Sequence, residues 1–488
     1  MVDRHQLSVA FLRRISQIDC PRHPMNQTAT WSLLILLLTA PLALQTARGE
    51  SADPSSGSIA APSSPLQLSA ALDLGQLEAL VRERTPALQT DALEVDLARA
   101  DVKQSHLFGN PTADAGWGTI PVGRTNPRDL SSQLSNVPNY SAGLSYTFPI
   151  GKRGPKQEQA AALERRAEAA YDAAARAHAL ELARLAGAAA TAAVRLEGLH
   201  DLASDDQRSV TLAESRLSAG FATPLDVDRL RIEVSRTQQQ ILSAESDLEE
   251  ALASCTTLTG TRCEGFSDAA DARAFLRRWI GAAQPSTRIE DRADIRALGA
   301  SSEAADAELI AAKRQAIPDP TFRVGYLLDT FQASGAQRKS VNVGVSIPLP
   351  VFDHGQAMVS AATSKRLHYA EQRARRIQAA EARIPVLAQR VITQQARMES
   401  LEQEVIPRAE RALSDLSRAG DRQLVPLTDV IQARRTLNDL LLDDADSTSD
   451  AFQAALALIA ETPAASFEAV EPATTPSSEP PTQESTHS

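Results

Sequence analysis

The chain has 488 residues with only 4% aromatics, 22 Gly and 27 Pro, while Ala, Glu, Arg, Gln and Leu dominate positions 70–460. Single domains run at roughly 100–200 residues, so this make-up describes long, closely packed helices rather than one catalytic α/β core. Lys plus Arg number 50 against 61 acids, a net charge of −11, and the basic residues are interspersed among acidic ones, which argues against a nucleic-acid-binding face.

Residues 31–44 (WSLLILLLTAPLAL) form a 14-residue apolar run, too short to span a bilayer and suited to a secretory h-region. Arg13, Arg14, Arg22 and His23 give it a positive flank if translation starts at Met1; Met25 is the alternative start. Ala47-Arg48-Gly49 puts small residues at the −3 and −1 positions, so 1–49 reads as a signal peptide and 50–65 as a disordered linker. The mature chain is expected to be exported without a helical anchor, and no Cys follows the h-region to carry a lipid. Cys255 and Cys263 flank Leu258-Thr259-Gly260, a spacing that permits a disulfide across a helix end in an oxidising compartment. With no His nearby the pair makes a poor zinc site, and no metal site is expected.

Beyond the linker the chain repeats itself with an offset of about 200 residues. Asn110-Pro111-Thr112 matches Asp319-Pro320-Thr321, Phe148-Pro149 matches Ile347-Pro348, Gly154 matches Gly355, Gly220 matches Gly420, and Pro224-Leu225 matches Pro426-Leu427. Each half reads helix, strand, loop, strand, long helix, turn, helix. The helices are expected at 73–106, 156–217 and 225–258, then at 289–316, 356–418 and 427–459, with Pro385 and Pro407 kinking the second long one. Repeat 1 spans 66–265, an equatorial connection 266–288, repeat 2 spans 289–461, and the Pro/Ser/Thr/Glu-rich tail 462–488 is expected to be disordered.

The strands alternate with period two. Tyr140, Ala142, Leu144, Tyr146 and Phe148 interleave with Ser141, Gly143, Ser145 and Thr147; Val341, Val343, Val345 and Ile347 interleave with Asn342, Gly344 and Ser346. Phe322, Val324, Tyr326 and Leu328 do the same with Arg323 and Gly325, and Ala113, Ala115 and Trp117 more weakly with Asp114 and Gly116. A half-buried soluble sheet shows this pattern too. In an exported chain, strands of roughly 9–11 residues fit an outer-membrane barrel, with Trp117, Tyr146, Phe148 and Tyr326 as interfacial aromatics. Four strands cannot close a barrel, so copies of the chain must share one.

These residues resemble the TolC family of outer-membrane efflux proteins over roughly 66–461. The resemblance rests on Thr85-Pro86-Ala87-Leu88, on Tyr146-Thr147-Phe148-Pro149-Ile150-Gly151-Lys152-Arg153-Gly154, and on Arg216-Leu217-Ser218-Ala219-Gly220 followed by Pro224-Leu225-Asp226-Val227. Leu258-Thr259-Gly260 and Arg292-Ala293-Asp294-Ile295-Arg296 add to it, and the run 345–353 (VSIPLPVFD) resembles the heavy-metal cation efflux branch. The resemblance implies an α+β membrane protein: a trimer whose 12-strand barrel, four strands per chain, continues into a helical periplasmic tunnel. It implies as partners a periplasmic adaptor, an inner-membrane pump of the proton-driven resistance-nodulation-division type, and outer-membrane lipid. The function implied is a passive outer-membrane conduit for metal cations or small toxic compounds; the alternatives are the duct of a type I protein secretion system and a non-conducting periplasmic rod.

By the same resemblance the periplasmic tips are Gly220 and Gly420 with Leu225 and Leu427, where the glycines, each after an Ala, permit positive φ and close approach. The entrance gate falls to Asp226, Asp429 and Arg422. HExxH, GxSxG and GxxxxGK-Ser/Thr motifs are absent from the sequence, and His106, His178, His200, His354, His368 and His487 show no ligand spacing, so neither enzyme activity nor a cofactor is expected.

Overall fold

The computed structural model describes residues 64–118, 139–329, 339–422 and 425–463. The signal peptide, nearly all of the expected linker, both strand-connecting loops and most of the expected tail lie outside these residues. The chain divides after Pro62, and the fold described here belongs entirely to the unit that begins at Ser63.

Its elements, in chain order, open with β1 (Leu66–Gln67), α1 (Leu74–Arg84), α2 (Pro86–His106), β2 (Thr112–Gly118) and β3 (Asn139–Thr147). Then come α3 (Arg153–Ser218), α4 (Pro224–Thr259), β4 (Cys263–Glu264), α5 (Ala269–Ala282) and α6 (Ala293–Gln315). The chain continues through β5 (Thr321–Asp329), β6 (Lys339–Ser346), α7 (Gln356–Ser400), α8 (Ile406–Asp421) and α9 (Leu427–Ala460). Helix α3 has 66 residues, about 99 Å at 1.5 Å per residue.

The single first helix expected over 73–106 is two helices. Thr85 sits between them with extended backbone (φ −73°, ψ 116°) because Pro86 disfavours helical geometry at the residue before it, while Pro86 itself starts α2 without losing a bond. In the second half Pro385 stays inside α7, whereas a π-helical turn, Leu401–Val405, precedes Pro407. A wider turn leaves room where the proline ring would otherwise meet the preceding carbonyls.

The expected equatorial connection contains helix α5. Asp268 caps it, accepting from Asp271 N at 2.7 Å, and its buried face (Phe275, Leu276, Trp279, Ile280) anchors the largest core cluster with Phe452, Leu77, Val81 and Leu182. Trp279 Nε1 donates to Leu72 O at 3.0 Å, so the indole is buried with its polar atom paired. Alanines 175, 179, 183, 186, 189 and 190 of α3 face this core, and a Cβ on Gly187 would enter the Phe452 ring. Small residues let α3 and α9 approach closely there, which is why a helix so poor in large side chains still packs.

The main sheet is antiparallel with order β2-β3-β5-β6, so β3–β5 pairing joins the two halves of the chain. Its register puts Trp117, Tyr140 and Leu328 in one row that ends on Lys339 at the edge, Ala115, Ala142, Tyr326 and Val341 in the next, then Ala113, Leu144, Val324 and Val343, then Tyr146, Phe322 and Val345. One face is therefore apolar across the sheet, and most of it is exposed: Val343 is 75% accessible and Leu144 54%. The opposite face carries Thr, Ser, Asn and Gly together with Asp114, Arg323, Leu327 and Asp329. No helix among the described residues is long and apolar enough to cross a membrane.

Candidate docking turns, helix ties and sheet faces

The α3–α4 turn is held by its own backbone. Gly220 N donates to Leu217 O at 3.0 Å and Phe221 N to Arg216 O at 2.8 Å, the pair of bonds that ends a helix through a left-handed residue. Gly220 is that residue, with φ +78°. Three residues on, Thr223 and Asp226 form a capping box: Asp226 N donates to Thr223 Oγ1 at 3.3 Å and Thr223 N to Asp226 Oδ2 at 3.1 Å. Two helix ends are thus closed within one short segment, and Phe221 (68% accessible) and Leu225 (57%) are presented outward from it. The sequence reading passed over Phe221; an aromatic directly after a helix-ending glycine was the available signal.

The α8–α9 turn is built differently, and the expectation of a glycine-based turn at Gly420 is corrected. Helix α8 runs through Gly420 to Asp421, and Gly420 is buried in helical conformation. A Cβ there would lie 3.2 Å from Val430 Cγ2, so this glycine serves the close approach of α8 and α9. Arg422 ends α8 and is exposed; Pro426 precedes α9, and Asp429 N donates to Pro426 O at 3.1 Å. Leu427 opens α9, and the side chain is outside the described set. Asp226, Asp429 and Arg422 all stand at helix ends, where the carboxylates occupy the first turns and suit the helix dipole.

Above these turns α3, α4 and α9 meet in a small core of Val210, Ala213, Val227, Leu230 and Ile431. A polar tie follows it. Thr237 Oγ1 donates to Asp206 Oδ2 at 2.9 Å, Arg434 Nη1 donates to Asp205 O at 2.9 Å and also to Ser209 Oγ, and Arg435 pairs with Glu233. Burial pushes the Asp206 carboxyl up from its ordinary value, against the Thr237 hydroxyl and Arg434, which pull it down. The sequence reading missed this tie, since charged residues line these helices throughout and pairing needs the fold.

A second charge cluster closes the other end of α9. Arg292, 3% exposed, pairs with Asp294 at 3.0 Å and with Glu461; Arg376 reaches Asp294 at 2.8 Å, and Arg383 reaches Glu461 at 3.1 Å. Burial alone would raise the Asp294 carboxyl, but hydrogen bonds from Arg292 and Arg376 outweigh it and hold it below the ordinary value. Thr462, assigned to the tail from sequence, is 3% exposed and donates to Ile459 O at 3.0 Å, so order extends past the expected boundary. Cys255 and Cys263 are joined by a disulfide at the end of α4, where β4 pairs with β1 in parallel.

On the sheet, Trp117 stacks on Tyr140 at one end (centroids 6.3 Å apart), while Tyr146, Phe148 and Phe322 cluster at the other, at 4.6 and 5.4 Å. Six residues separate Tyr140 from Tyr146 along β3, about 20 Å. Tyr326 lies one row in from the Trp117 end. The polar face bears the ion pair Arg323–Asp114, reaching across β3. Among the described residues no group of three or more His, Cys, Asp or Glu could hold a metal ion.

Residues 77–261 match the family described as outer membrane efflux protein. The chain is 26% identical over 231 residues to the cobalt-zinc-cadmium resistance protein CzcC of Cupriavidus metallidurans, covering 47% of this chain and 54% of that protein. It is 30% identical over 244 residues to the pyoverdine export outer membrane protein OpmQ of Pseudomonas aeruginosa, covering 47% and 49%. It thus spans about half the length of the curated relatives it matches. A solved structure of CusC, described in terms of folding and transmembrane channel formation, superposes with a TM-score of 0.64 at 16% identity, over 80% of this chain and 91% of that one. That likeness shows a shared fold.

Proposed function

We propose that the chain is a member of the outer membrane efflux protein family, whose model matches residues 77–261, and that three copies form an outer-membrane channel, a passive conduit from periplasm to exterior. The observation that carries this is the sheet: four antiparallel strands with a continuous exposed apolar face, a polar opposite face, and one partner each for β2 and β6 among the described residues. An even set of alternating strands can be continued by a copy of itself, with β6 of one chain antiparallel to β2 of the next. Three copies give a 12-strand barrel; two would give eight strands, whose interior side chains fill. The aromatic groups at the two ends of the apolar face fit the two rims of a hydrocarbon band roughly 25 Å tall.

In this reading the two halves of the chain are internal repeats, with the boundaries given from sequence. The helices extend the conduit into the periplasm. The α3–α4 turn, presenting Phe221 and Leu225 beside Gly220, and the α8–α9 turn with Leu427 beside the Gly420 contact, dock onto a periplasmic adaptor serving an inner-membrane pump of the proton-driven type. Asp226, Asp429 and Arg422 border the entrance. Relatives named for cobalt-zinc-cadmium resistance and for pyoverdine export support metal cations or small toxic compounds as the cargo. Conductance across planar bilayers tests the proposal: the purified protein should run as a trimer by light scattering in mild detergent and conduct ions. A monodisperse monomer with intact β signal, or a folded trimer that never conducts even with Arg422 substituted, would overturn it.

A further inference from the structure

On the polar face of the sheet, glycines leave space that side chains of the neighbouring strands fill. A Cβ on Gly116 would lie 2.7 Å from Ser141 Oγ, one on Gly143 would lie 2.9 Å from both carboxylate oxygens of Asp114, and one on Gly325 would run into the Asn342 amide. Each of these glycines sits under a polar side chain from the neighbouring strand. Those side chains therefore lie along the wall instead of standing off it. The Asp114 carboxylate, resting over Gly143, meets the guanidinium of Arg323 from β5 across the width of β3. Every other described residue on this face is neutral apart from Asp329 at the end of β5. Both members of the pair remain open to solvent, at 34% for Asp114 and 55% for Arg323.

We propose that the Arg323–Asp114 pair sets the charge selectivity of the barrel bore at its own level, adding no net charge to a wall lined there by Ser, Thr, Asn and Gly. The inference rests on the conduit reading, which turns this face inward. In a pore of three chains the pair occurs three times at one level, so that removing one partner leaves a ring of three like charges. Rings of like charge select for the opposite ion. Gly143 is the positioning residue, because a side chain there displaces Asp114 from its place beside Arg323.

The experiment is reversal potential in planar bilayers under a KCl gradient, with the full-length protein. Arg323→Gln should raise the cation-over-anion permeability ratio by about threefold at 0.1 M salt and by less at 1 M, where the screening length falls to roughly 3 Å. Asp114→Asn should move the ratio the same distance the other way, and the double variant should return to the parent value. Gly143→Ala, which displaces the Asp114 carboxylate from Arg323 but removes neither charge, should shift the ratio by less than either single charge variant, and Gly344→Ala, which meets nothing within 4 Å, should leave it unchanged. Channels that conduct normally with the ratio fixed in every variant would sink the inference and leave the conduit standing. A parent protein that does not conduct would remove both. Should a single variant fail to assemble, the exchanged pair Asp114→Arg with Arg323→Asp is to assemble and match the parent ratio; a shifted ratio there would also overturn the proposal.

Discussion

Helix α9 is fastened near both ends by charged side chains, and the two fastenings hold their acids in opposite ways. At the far end Asp294 and Glu461 are each met by two or more arginines, and the Asp294 carboxyl is held below its ordinary value. Near the turns Asp206 is buried at 2% exposure, where Asp294 keeps 39%; its direct partner is a hydroxyl, Arg434 spends its hydrogen bonds on Asp205 O and Ser209, and the Asp206 carboxyl is pushed up. The first is a clasp in which Asp294 is better off ionised in the fold than outside it. The second is a contact in which ionisation works against the fold. The difference teaches that desolvation prevails where a deeply buried acid has only a hydroxyl as its direct partner, and that two arginines overcome it at a part-exposed one.

The largest expected effect comes from breaking the clasp. Arg292→Met should strand the Glu461 carboxylate at 6% exposure and destabilise by about 3–5 kcal/mol, read as a lower urea midpoint by circular dichroism in detergent. A loss below about 1 kcal/mol would mean that Arg383 and Arg376 suffice. Next is the disulfide, which lies outside both fastenings and serves as the control. It closes a separation of eight residues, so reducing it should cost about 2–3 kcal/mol on chain-entropy grounds without changing the pH response of either charge site.

The turns below the tie come third. Gly220→Ala must carry a side chain at φ +78° and should cost about 1–2 kcal/mol. Gly420→Ala gains about 1 kcal/mol of helix propensity and loses part of it against Val430, for a net change within 1 kcal/mol of zero. Equal losses at the two glycines, by thermal melts, would mean the two turns are alike after all.

The smallest effect is the sharpest test of the comparison. The Asp294 contribution is complete above the ordinary carboxyl value of 3.8 and is lost as pH falls through its lowered value. The Asp206 contribution runs the other way: stability falls as pH rises from 3.8 through its raised value. Asp206→Asn should therefore leave stability at pH 7 unchanged or raise it by up to about 1 kcal/mol, an advantage that shrinks in acid. A variant less stable than the parent at pH 7, and equal to it in acid, would show that the carboxylate is needed in its charged form.

Much of this was legible in the sequence, because period-two alternation fixes which strand residues share a face, and the apolar rows from Trp117 to Val345 follow from it. The helix spans were readable from the Ala-, Glu-, Arg-, Gln- and Leu-rich stretches between strands and turns, and the Thr85-Pro86 pair was itself a break signal. Gly420 misled because it matches Gly220 in position, whereas conformation depends on what α9 brings against it, here Val430. The ties at Asp206 and Glu461 could not be read, since their partners lie 31 and 169 residues away in the chain and look like any other helix-surface charge. The glycines under Asp114 and Asn342 were visible only as gaps in an alternating pattern.

The two outer strands carry a consequence for how the molecule reaches its place. β2 offers seven residues and β6 eight along edges that this chain leaves without a second partner among the described residues. Each backbone group taken unpaired into hydrocarbon costs several kcal/mol, so a lone chain is barred from lipid by a barrier that grows with every strand residue inserted. Entry and assembly must then be one kinetic event, and its rate should fall more steeply than in proportion as the chains are diluted. A rate of membrane insertion independent of chain concentration would contradict this. In the proposed three-chain conduit, scarcity of newly made chains, rather than any property of the finished pore, becomes the bottleneck of biogenesis, and the membrane is spared half-built barrels.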